Sequence, residues 1–197
     1  SKKLGYKVIA ANEEAGSKVI AGSLSVRKDS GISTVEDLKG RTILFGGGPK
    51  AMGSYIAPLA VLKEAGLQPN KDFTVRFAKN PPSAVIGVYN KAADAAGAGN
   101  VILQIPSVKK SVKVDEMRLL AESDSFVHLP WAVSGNVSDT KAKKIQSIMT
   151  SLKGTHDDIL NSAKVTAFQA VSDADFDKVA EIVKFALGED LKLASAK

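Results

Sequence analysis

The chain has 197 residues, of which 44% are hydrophobic and 24% charged, a composition typical of a globular protein with a buried core. It contains no cysteine, which excludes disulfides, thiol catalysis, cysteine-ligated zinc and iron–sulfur clusters. The formal net charge is +6, but the lysines are scattered singly and far outnumber the arginines. We therefore expect a solvated basic surface and no nucleic-acid partner. No stretch of the chain reaches the roughly 18 consecutive apolar residues that a membrane span requires.

The first predicted elements are a strand, a short helix and a second strand. Alternating apolar residues over Lys18–Arg27 predict the first strand. The segment Ser33–Glu36 matches a capping box, which predicts a short helix that ends at Gly40. Arg41–Phe45 predicts the second strand, and the three glycines Gly46–Gly48 follow it directly.

The next elements repeat this order of strand, turn and helix. After the glycines, Tyr55, Leu59 and Leu62 have helical spacing, and Gly66 predicts the end of that helix. The same order then occurs again, with a strand over Phe73–Ala78, a turn over Lys79–Pro82 and a helix over Ser83–Lys91. A strand of small residues, Ala93–Gly99, follows. This alternation predicts an α/β fold with a parallel sheet.

The last part of the chain predicts two extended segments followed by helices. The extended segments are Met117–Glu122 and Phe126–Val133. Ser138 can cap one helix, and Ser172 with Asp175 can cap another.

An open α/β sheet binds ligands at the carboxyl ends of its strands, so the turns after Phe45, Ala78 and Gly99 are candidate places for a site. The glycine turn would let the backbone approach a ligand, the helix start beyond it favours an anion, and Lys50 adds a full positive charge. The alternative is an ordinary tight turn with Lys50 in solvent, and the residues leave both open. Neither the phosphate-loop pattern nor the dinucleotide pattern G-x-G-x-x-G is completed here.

Groups suited to catalysis or metal binding are few. The histidines His128 and His156 lie in different predicted elements and outside any zinc-ligand spacing. No nucleophile, base and orienting group come together, so we expect no enzyme, no metal and no cofactor. His128 and Trp131 lie in a strand-like stretch, where packing near a hinge and contact with a ligand are both open interpretations.

Several motifs in a fixed order resemble the phosphonate/phosphite substrate-binding proteins of ABC transporters. They are Val26–Ile32 (VRKDSGI), Val35–Thr42 (VEDLKGRT), Phe45-Gly46, the helix end Leu62–Leu67 (LKEAGL) and the strand Ala93-Asp94-Ala95. The similarity covers residues 18–135.

The resemblance implies a type 2 periplasmic binding protein fold, an α/β architecture of two lobes with mixed or parallel sheets flanked by helices. Residues 1–32 and 125–197 would form the first lobe and residues 33–124 the second, with the ligand held between them. Because chains of the family begin with more of the first lobe, we expect this chain to enter partway through it. The implied location is the periplasm or another extracytoplasmic space.

The chain departs from the family at the ligand anchors. Lys50-Ala51-Met52-Gly53 stands where the family has Ser-Thr-Ser-Gly, and Pro81 stands where it often has a histidine. Losing three hydroxyl donors predicts an oxyanion related to phosphonate or phosphite but smaller or less charged, and Met52 and Trp131 favour a ligand with an apolar part. The predicted ligand-binding residues are Gly47, Gly48, Lys50, Ala51, Met52, Ser54, Asn80, Ser83, Asn100, His128 and Trp131.

The function that follows is capture of a small anion by lobe closure, and its delivery to the membrane subunits of an ABC transporter or to a sensor protein. A homodimer that stabilises an incomplete first lobe is left open. The alternatives are a degenerate binding protein that serves as a protein–protein module, the effector-binding domain of a transcription regulator, and an enzyme for a phosphorylated substrate at the glycine turn.

Overall fold

The computed structural model describes residues 5–13, 16–163 and 165–189 of the chain. Within these residues the strands are β1 (Tyr6–Glu13), β2 (Val19–Arg27), β3 (Thr42–Gly46), β4 (Thr74–Ala78), β5 (Ala95–Gly99), β6 (Met117–Val127), β7 (Pro130–Ser134) and β8 (Ala167–Ala170). The α-helices are α1 (Ala57–Glu64), α2 (Pro81–Tyr89), α3 (Pro106–Lys109), α4 (Asp139–Thr150), α5 (Asp157–Ala163) and α6 (Asp177–Leu187).

The described chain divides into two compact units. The first consists of the described residues of 1–20 and 126–181, and the second consists of Ala21–Ser125 with Ile182–Glu189. The lobe boundaries predicted after residues 32 and 124 stay a prediction. Within the predicted first lobe, residues 1–4, 14–15, 164 and 190–197 lie outside the described residues.

The second unit is built on a five-stranded mixed sheet in the order β4-β3-β5-β2-β6. Strand β3 is parallel to β4 and β5, while β2 is antiparallel to β5 and sets Gly22 opposite Gly99. The carboxyl ends of three strands and the first half of β2 therefore share one edge of this sheet.

Helix α2 covers one face of that sheet. A cluster of buried apolar residues from α2, β5 and the segment that follows them fills the interface, namely Ala84, Val85, Val88, Ala96, Ala98, Ile102, Val108, Val112 and Met117. Leu44 of β3 packs against this cluster, so its neighbour Phe45 points to the opposite face, where its ring contacts Tyr55. Burial of each large apolar side chain stabilises the unit by about 1.5–3 kcal/mol.

The first unit is built on a three-stranded sheet in the order β7-β1-β8, with both neighbours antiparallel to β1. Its core includes Ile9, Leu160 and Phe168. The carboxylate of Glu13, at the end of β1, is only 4% exposed and accepts hydrogen bonds from Lys153 (2.9 Å), Thr166 (3.1 Å) and Gln169. These donors, with Lys153 foremost, lower the pKa of Glu13.

Two predictions about local structure are wrong. The capping box predicted over Ser33–Glu36 does not form, and the short helix predicted before Gly40 is a 3-10 helix, Glu36–Leu38. The carboxylate of Asp37 accepts from the backbone N–H groups of Ser33 (2.7 Å) and Thr34 (2.8 Å), so it takes the Ser33 donor that Glu36 would have used in a box. The two extended segments before residue 133 are divided differently: β6 runs unbroken through residues 123–125, and the break falls at Leu129, where φ is 49°.

Candidate functional site

The glycine turn after β3 is fixed to the turn after β4 by its backbone. The Gly47 N–H donates to the Ala78 carbonyl at 2.9 Å, and Gly47 has a φ of 91°, which favours glycine. A Cβ placed on Gly46 would overlap the backbone of Pro81. The two turns therefore meet at close range along one edge of the sheet, and side chains from both can face one small ligand.

The helix beyond the glycines begins with a π-helical turn, Met52–Ile56, and continues as α1. Pro58 carries no N–H, so the Ser54 carbonyl cannot accept the usual α-helical hydrogen bond from residue 58. A π-helical turn, with hydrogen bonds between residues five apart, accommodates the missing donor. The sequence predicted a helix here but gave no sign of the π turn. The Ser54 hydroxyl donates to the Gly46 carbonyl and is buried, so its proton already has an acceptor.

Backbone amides at this helix start are open to a ligand. The Ala51 N–H bonds the Gly48 carbonyl at 3.0 Å, and the Tyr55 N–H bonds the Ala51 carbonyl at 2.9 Å. Among the described residues, none accepts from the N–H groups of Met52 and Gly53. Unpaired donors at a helix start carry partial positive charge and suit an anion.

Helix α2 begins differently, without open amides. The Asn80 side chain accepts from the Ser83 N–H at 2.9 Å and from the Ser83 hydroxyl at 2.8 Å, which makes Asn80 the N-cap. Pro81 and Pro82 have no N–H, and the Ala84 N–H bonds the Asn80 carbonyl at 3.2 Å. The first turn of α2 therefore offers no amide to a ligand, and the side-chain donors just before it are the Asn80 amide nitrogen and the Lys79 ammonium.

Asn100, the predicted residue after β5, is held by the protein itself. Its oxygen accepts from the Ala21 N–H at 3.3 Å, and its amide nitrogen donates to Glu122 at 2.9 Å. The adjacent Gly22 N–H donates to the Ser123 hydroxyl at 3.0 Å. Asn100 therefore ties the first residues of β2 to β6, and its ligand contact stays a prediction.

The two remaining predicted residues lie in the first unit. The Trp131 indole N–H donates to Asn12 at 2.8 Å, and its ring meets that of Phe168 edge to face with centroids 5.6 Å apart. Its side chain is still 50% exposed, so two contacts fix the orientation of an accessible aromatic ring. His128 is partly buried at the end of β6. The other nine predicted residues are in the second unit, and the role of all eleven stays a prediction.

Besides Lys50, which the sequence singled out, the structure has two further cations and an aromatic cluster that sequence reasoning did not include. Lys50, Arg76 and Lys79 are exposed, and none of them forms an ion pair with a described residue. The rings of Phe45, Tyr55 and Phe77 contact one another in edge-to-face or tilted arrangements, with centroid separations of 4.9–6.2 Å. Burial raises the pKa of the Tyr55 phenol, so it remains protonated at neutral pH. The sequence does indicate an excess of positive charge around Arg76 and Lys79, because residues 73–93 contain no aspartate or glutamate.

A cavity of about 300 Å³ lies at the opposite edge of the sheet, lined by residues that include Arg27, Asp29, Thr42 and Asp94. Its acidic groups are already engaged. Asp29 accepts two hydrogen bonds from Arg27, and Asp94 accepts from the Thr42 N–H at 2.8 Å. In the part of the chain that the structure describes, no group of three acidic or histidine side chains could hold a metal, and no helix has the length and apolar character of a membrane span.

Comparison with known proteins gives one family and several relatives. Residues 1–176 match the model of a family described as ABC transporter, phosphonate, periplasmic substrate-binding protein. The tetrathionate sensor histidine kinase TtrS of Salmonella typhimurium is 39% identical over 84 residues, which are 42% of this chain and 14% of TtrS.

Solved structures show the same fold. A binding protein component of an ABC phosphonate transporter from Pseudomonas aeruginosa aligns with a TM-score of 0.73 at 20% identity, over 92% of this chain and 63% of that chain. PhnD1 of Prochlorococcus marinus, in complex with methylphosphonate, aligns with a TM-score of 0.70 at 18% identity, over 89% of this chain and 70% of that chain. The predicted fold class is confirmed. The chain thus spans a seventh of TtrS and about two thirds of these binding proteins.

Proposed function

Because the chain belongs to the family of periplasmic phosphonate-binding proteins of ABC transporters, we propose that it is a solute-binding protein whose ligand is a small oxyanion. It would take the ligand up reversibly and present it to the membrane subunits of a transporter. It would act in the periplasm or another extracytoplasmic space. The bound anion would leave chemically unchanged.

The observation that carries this proposal is the helix start beyond the glycine turn. The N–H groups of Met52 and Gly53 have no acceptor among the described residues, and the exposed Lys50 lies two residues before them. An anion needs several donors at once, because each unmet oxygen costs about 1–3 kcal/mol. Backbone amides and one ammonium group together offer such a set without any hydroxyl.

The predicted residues take different parts in this proposal. Gly47, Gly48 and Ala51 shape the turn, while Lys50 and the amides at Met52 bind the oxyanion. Asn80 would donate from its amide nitrogen while its oxygen caps α2, and Ser83, whose hydroxyl proton goes to Asn80, would hold that side chain in place. Ser54 and Asn100 would support the backbone near the ligand, since their polar atoms are engaged within the protein. Contact of His128 and Trp131 with the ligand stays a prediction, with Trp131 suited to an apolar part of it.

Loss of the family's Ser-Thr-Ser anchor bears on the identity of the ligand. At the corresponding positions the chain offers one ammonium group and an apolar Met52 in place of three hydroxyls. We expect the chain to bind a related oxyanion, such as a sulfur oxyanion, in place of phosphonate and phosphite or in addition to them.

A second candidate function is the ligand-sensing domain of a sensor kinase. The observation that favours it is the 39% identity with TtrS over 84 residues, because TtrS is a tetrathionate sensor histidine kinase. In this role the same anion site would signal through a joined kinase rather than supply a transporter. Preferential binding of tetrathionate over every phosphonate would favour this candidate.

The test is binding of a panel of anions to the purified chain by isothermal titration calorimetry. The panel contains methylphosphonate, phosphite, phosphate, sulfate, thiosulfate and tetrathionate. At least one should bind, and Lys50→Ala should weaken that binding by about tenfold to a hundredfold, because a charge-assisted contact is lost. The matched control is Lys71→Ala, which removes an exposed lysine just before β4, at the other end of that strand. Unchanged affinity in Lys50→Ala would contradict the proposed site.

A further inference from the structure

Lys79, at the turn after β4, has no structural partner that would explain its presence. Its side chain is exposed, and no described acidic residue forms an ion pair with it. The surrounding residues 73–93 contain no acidic residue at all, and neither do residues 38–63, which include Lys50. The segments that carry Lys50 and Lys79 therefore supply no negative charge of their own; at the same edge of the sheet, Glu122 accepts from the Asn100 amide nitrogen at 2.9 Å.

The turn that carries Lys79 is bound to the turn that carries Lys50. The Gly47 N–H donates to the carbonyl of Ala78, the residue before Lys79, at 2.9 Å. Because Gly46 has no Cβ, its backbone can lie directly against that of Pro81, so the same two segments are also in contact there. Two ammonium groups on short, backbone-fixed turns can thus act on one ligand of a few ångströms.

The start of α2 gives a chemical reason for a lysine at this position. Pro81 and Pro82 provide no N–H, and the Ser83 N–H is already donated to Asn80. The first turn of α2 consequently has no amide donor for an anion, in contrast to the first turn of the helix at Met52. A cationic side chain immediately before the cap supplies the charge that this backbone cannot.

We infer that Lys79 is a specificity-determining ligand residue and that, together with Lys50, it selects anions with two or more negative charges over singly charged ones. The inference rests on the proposed function, and it adds a residue and a charge class to it. The charge class inferred here differs from the less charged ligand expected from the sequence. That expectation was based on the three lost hydroxyl donors and did not take the charge of Lys79 into account. Two ammonium groups favour a doubly charged ligand because each additional opposite charge lowers the energy of the bound state.

The experiment compares sulfate and thiosulfate, which carry two charges, with nitrate and perchlorate, which carry one. Dissociation constants are measured by calorimetry at constant ionic strength for the wild type, Lys79→Gln and the control Lys71→Gln. We expect Lys79→Gln to weaken binding of the doubly charged anions about tenfold or more and that of the singly charged anions less than about threefold. Lys71→Gln should leave all constants unchanged.

The outcomes separate this inference from the proposed function. Equal loss for both charge classes, or no loss for either, would overturn the role of Lys79 while leaving anion binding intact. A wild-type chain that binds none of these anions, nor any of the oxyanion panel, would overturn the proposed function and this inference with it. Circular dichroism and thermal unfolding of Lys79→Gln show whether its fold is unchanged, which is expected for an exposed side chain.

Discussion

At the scale of single residues, Glu13 shows how the first unit holds a buried charge. Its carboxylate has three side-chain donors, so the cost of desolvation is offset by charge-assisted hydrogen bonds. Because β1, β8 and the turn after α4 each provide one of the groups involved, Glu13 connects three elements that are distant in sequence.

We expect Glu13→Gln to reduce the free energy of unfolding by about 1–3 kcal/mol at neutral pH, since an uncharged group leaves Lys153 without its ion pair and places two amide donors together. The folded pKa of Glu13 is lowered, so its stabilising effect is present above the ordinary value of 4.5 and is lost as the pH falls through the folded value. The difference between wild type and variant in urea unfolding should therefore shrink below pH 4.5. A difference that stays constant with pH would contradict this account.

Gly46 and Gly48 provide a matched pair for the close contact between the two turns. We expect Gly46→Ala to destabilise the protein by about 1–3 kcal/mol or more, because its Cβ would overlap the Pro81 backbone, which cannot move aside like a flexible side chain. A Cβ on Gly48 meets no atom within 4 Å, so Gly48→Ala should change stability little. Thermal unfolding of both variants checks this, and equal melting temperatures would show that the turns are not in close contact.

At the scale of secondary-structure elements, α2 shows which features could be predicted from the sequence. Its two prolines indicated a helix start, and Asn80 is confirmed in the turn that precedes it. The strand boundaries of β3, β4 and β5 differ from the predictions by only one or two residues, because glycine and proline mark them chemically. The direction of β2 could not be predicted, since alternation of apolar residues does not distinguish parallel from antiparallel pairing.

Other elements had no adequate local signal. Strands β1 and β8 were absent from the predictions, because their burial depends on partners far away in sequence, and β8 has only four residues. The π turn at Met52–Ile56 depends on tertiary contacts of Ser54 and Phe45 as well as on Pro58. The candidate turns follow the carboxyl ends of strands, as predicted. Whether a side chain such as Asn100 is already engaged within the protein is decided by three-dimensional neighbours.

The cap of α2 yields a prediction that separates stability from binding. Asn80→Ala should reduce the free energy of unfolding by about 0.5–2 kcal/mol, because the Ser83 N–H loses its acceptor. Asn80→Asp should keep that cap and the stability, yet weaken anion binding through charge repulsion. Urea unfolding and calorimetry on the two variants test the two roles separately. If Asn80→Asp binds the anion as tightly as the wild type, Asn80 does not face the ligand.

At the scale of the whole molecule, the family match, the fold and the charge distribution agree with one another. The family match covers residues 1–176 and confirms the resemblance inferred from a few short motifs. Those motifs were informative because they occur in order, whereas each alone is common. Lys50, which stands at the first position of the family's Ser-Thr-Ser anchor, lies in the turn after β3 where the ligand is proposed to bind, while the core positions keep the pattern required by the sheet.

Binding should be visible in the stability of the entire chain. A ligand that binds only the folded protein raises the free energy of unfolding by about 2.7 kcal/mol when its free concentration is a hundred times its dissociation constant. We expect this increase in urea unfolding for the tightest-binding anion of the panel. Sodium chloride at equal ionic strength is the control, because a general salt effect on a protein of net charge +6 would stabilise it in both solutions.

The hydrogen bond between Trp131 and Asn12 has a practical consequence. Trp131 is the single tryptophan of the sequence, so the intrinsic emission of the protein above the tyrosine background originates from one indole. Because that indole is half exposed and held between Asn12 of β1 and Phe168 of β8, a shift in its emission maximum reports on the surroundings of this one side chain. The unmodified chain thus carries its own spectroscopic probe, and no dye or engineered label is required.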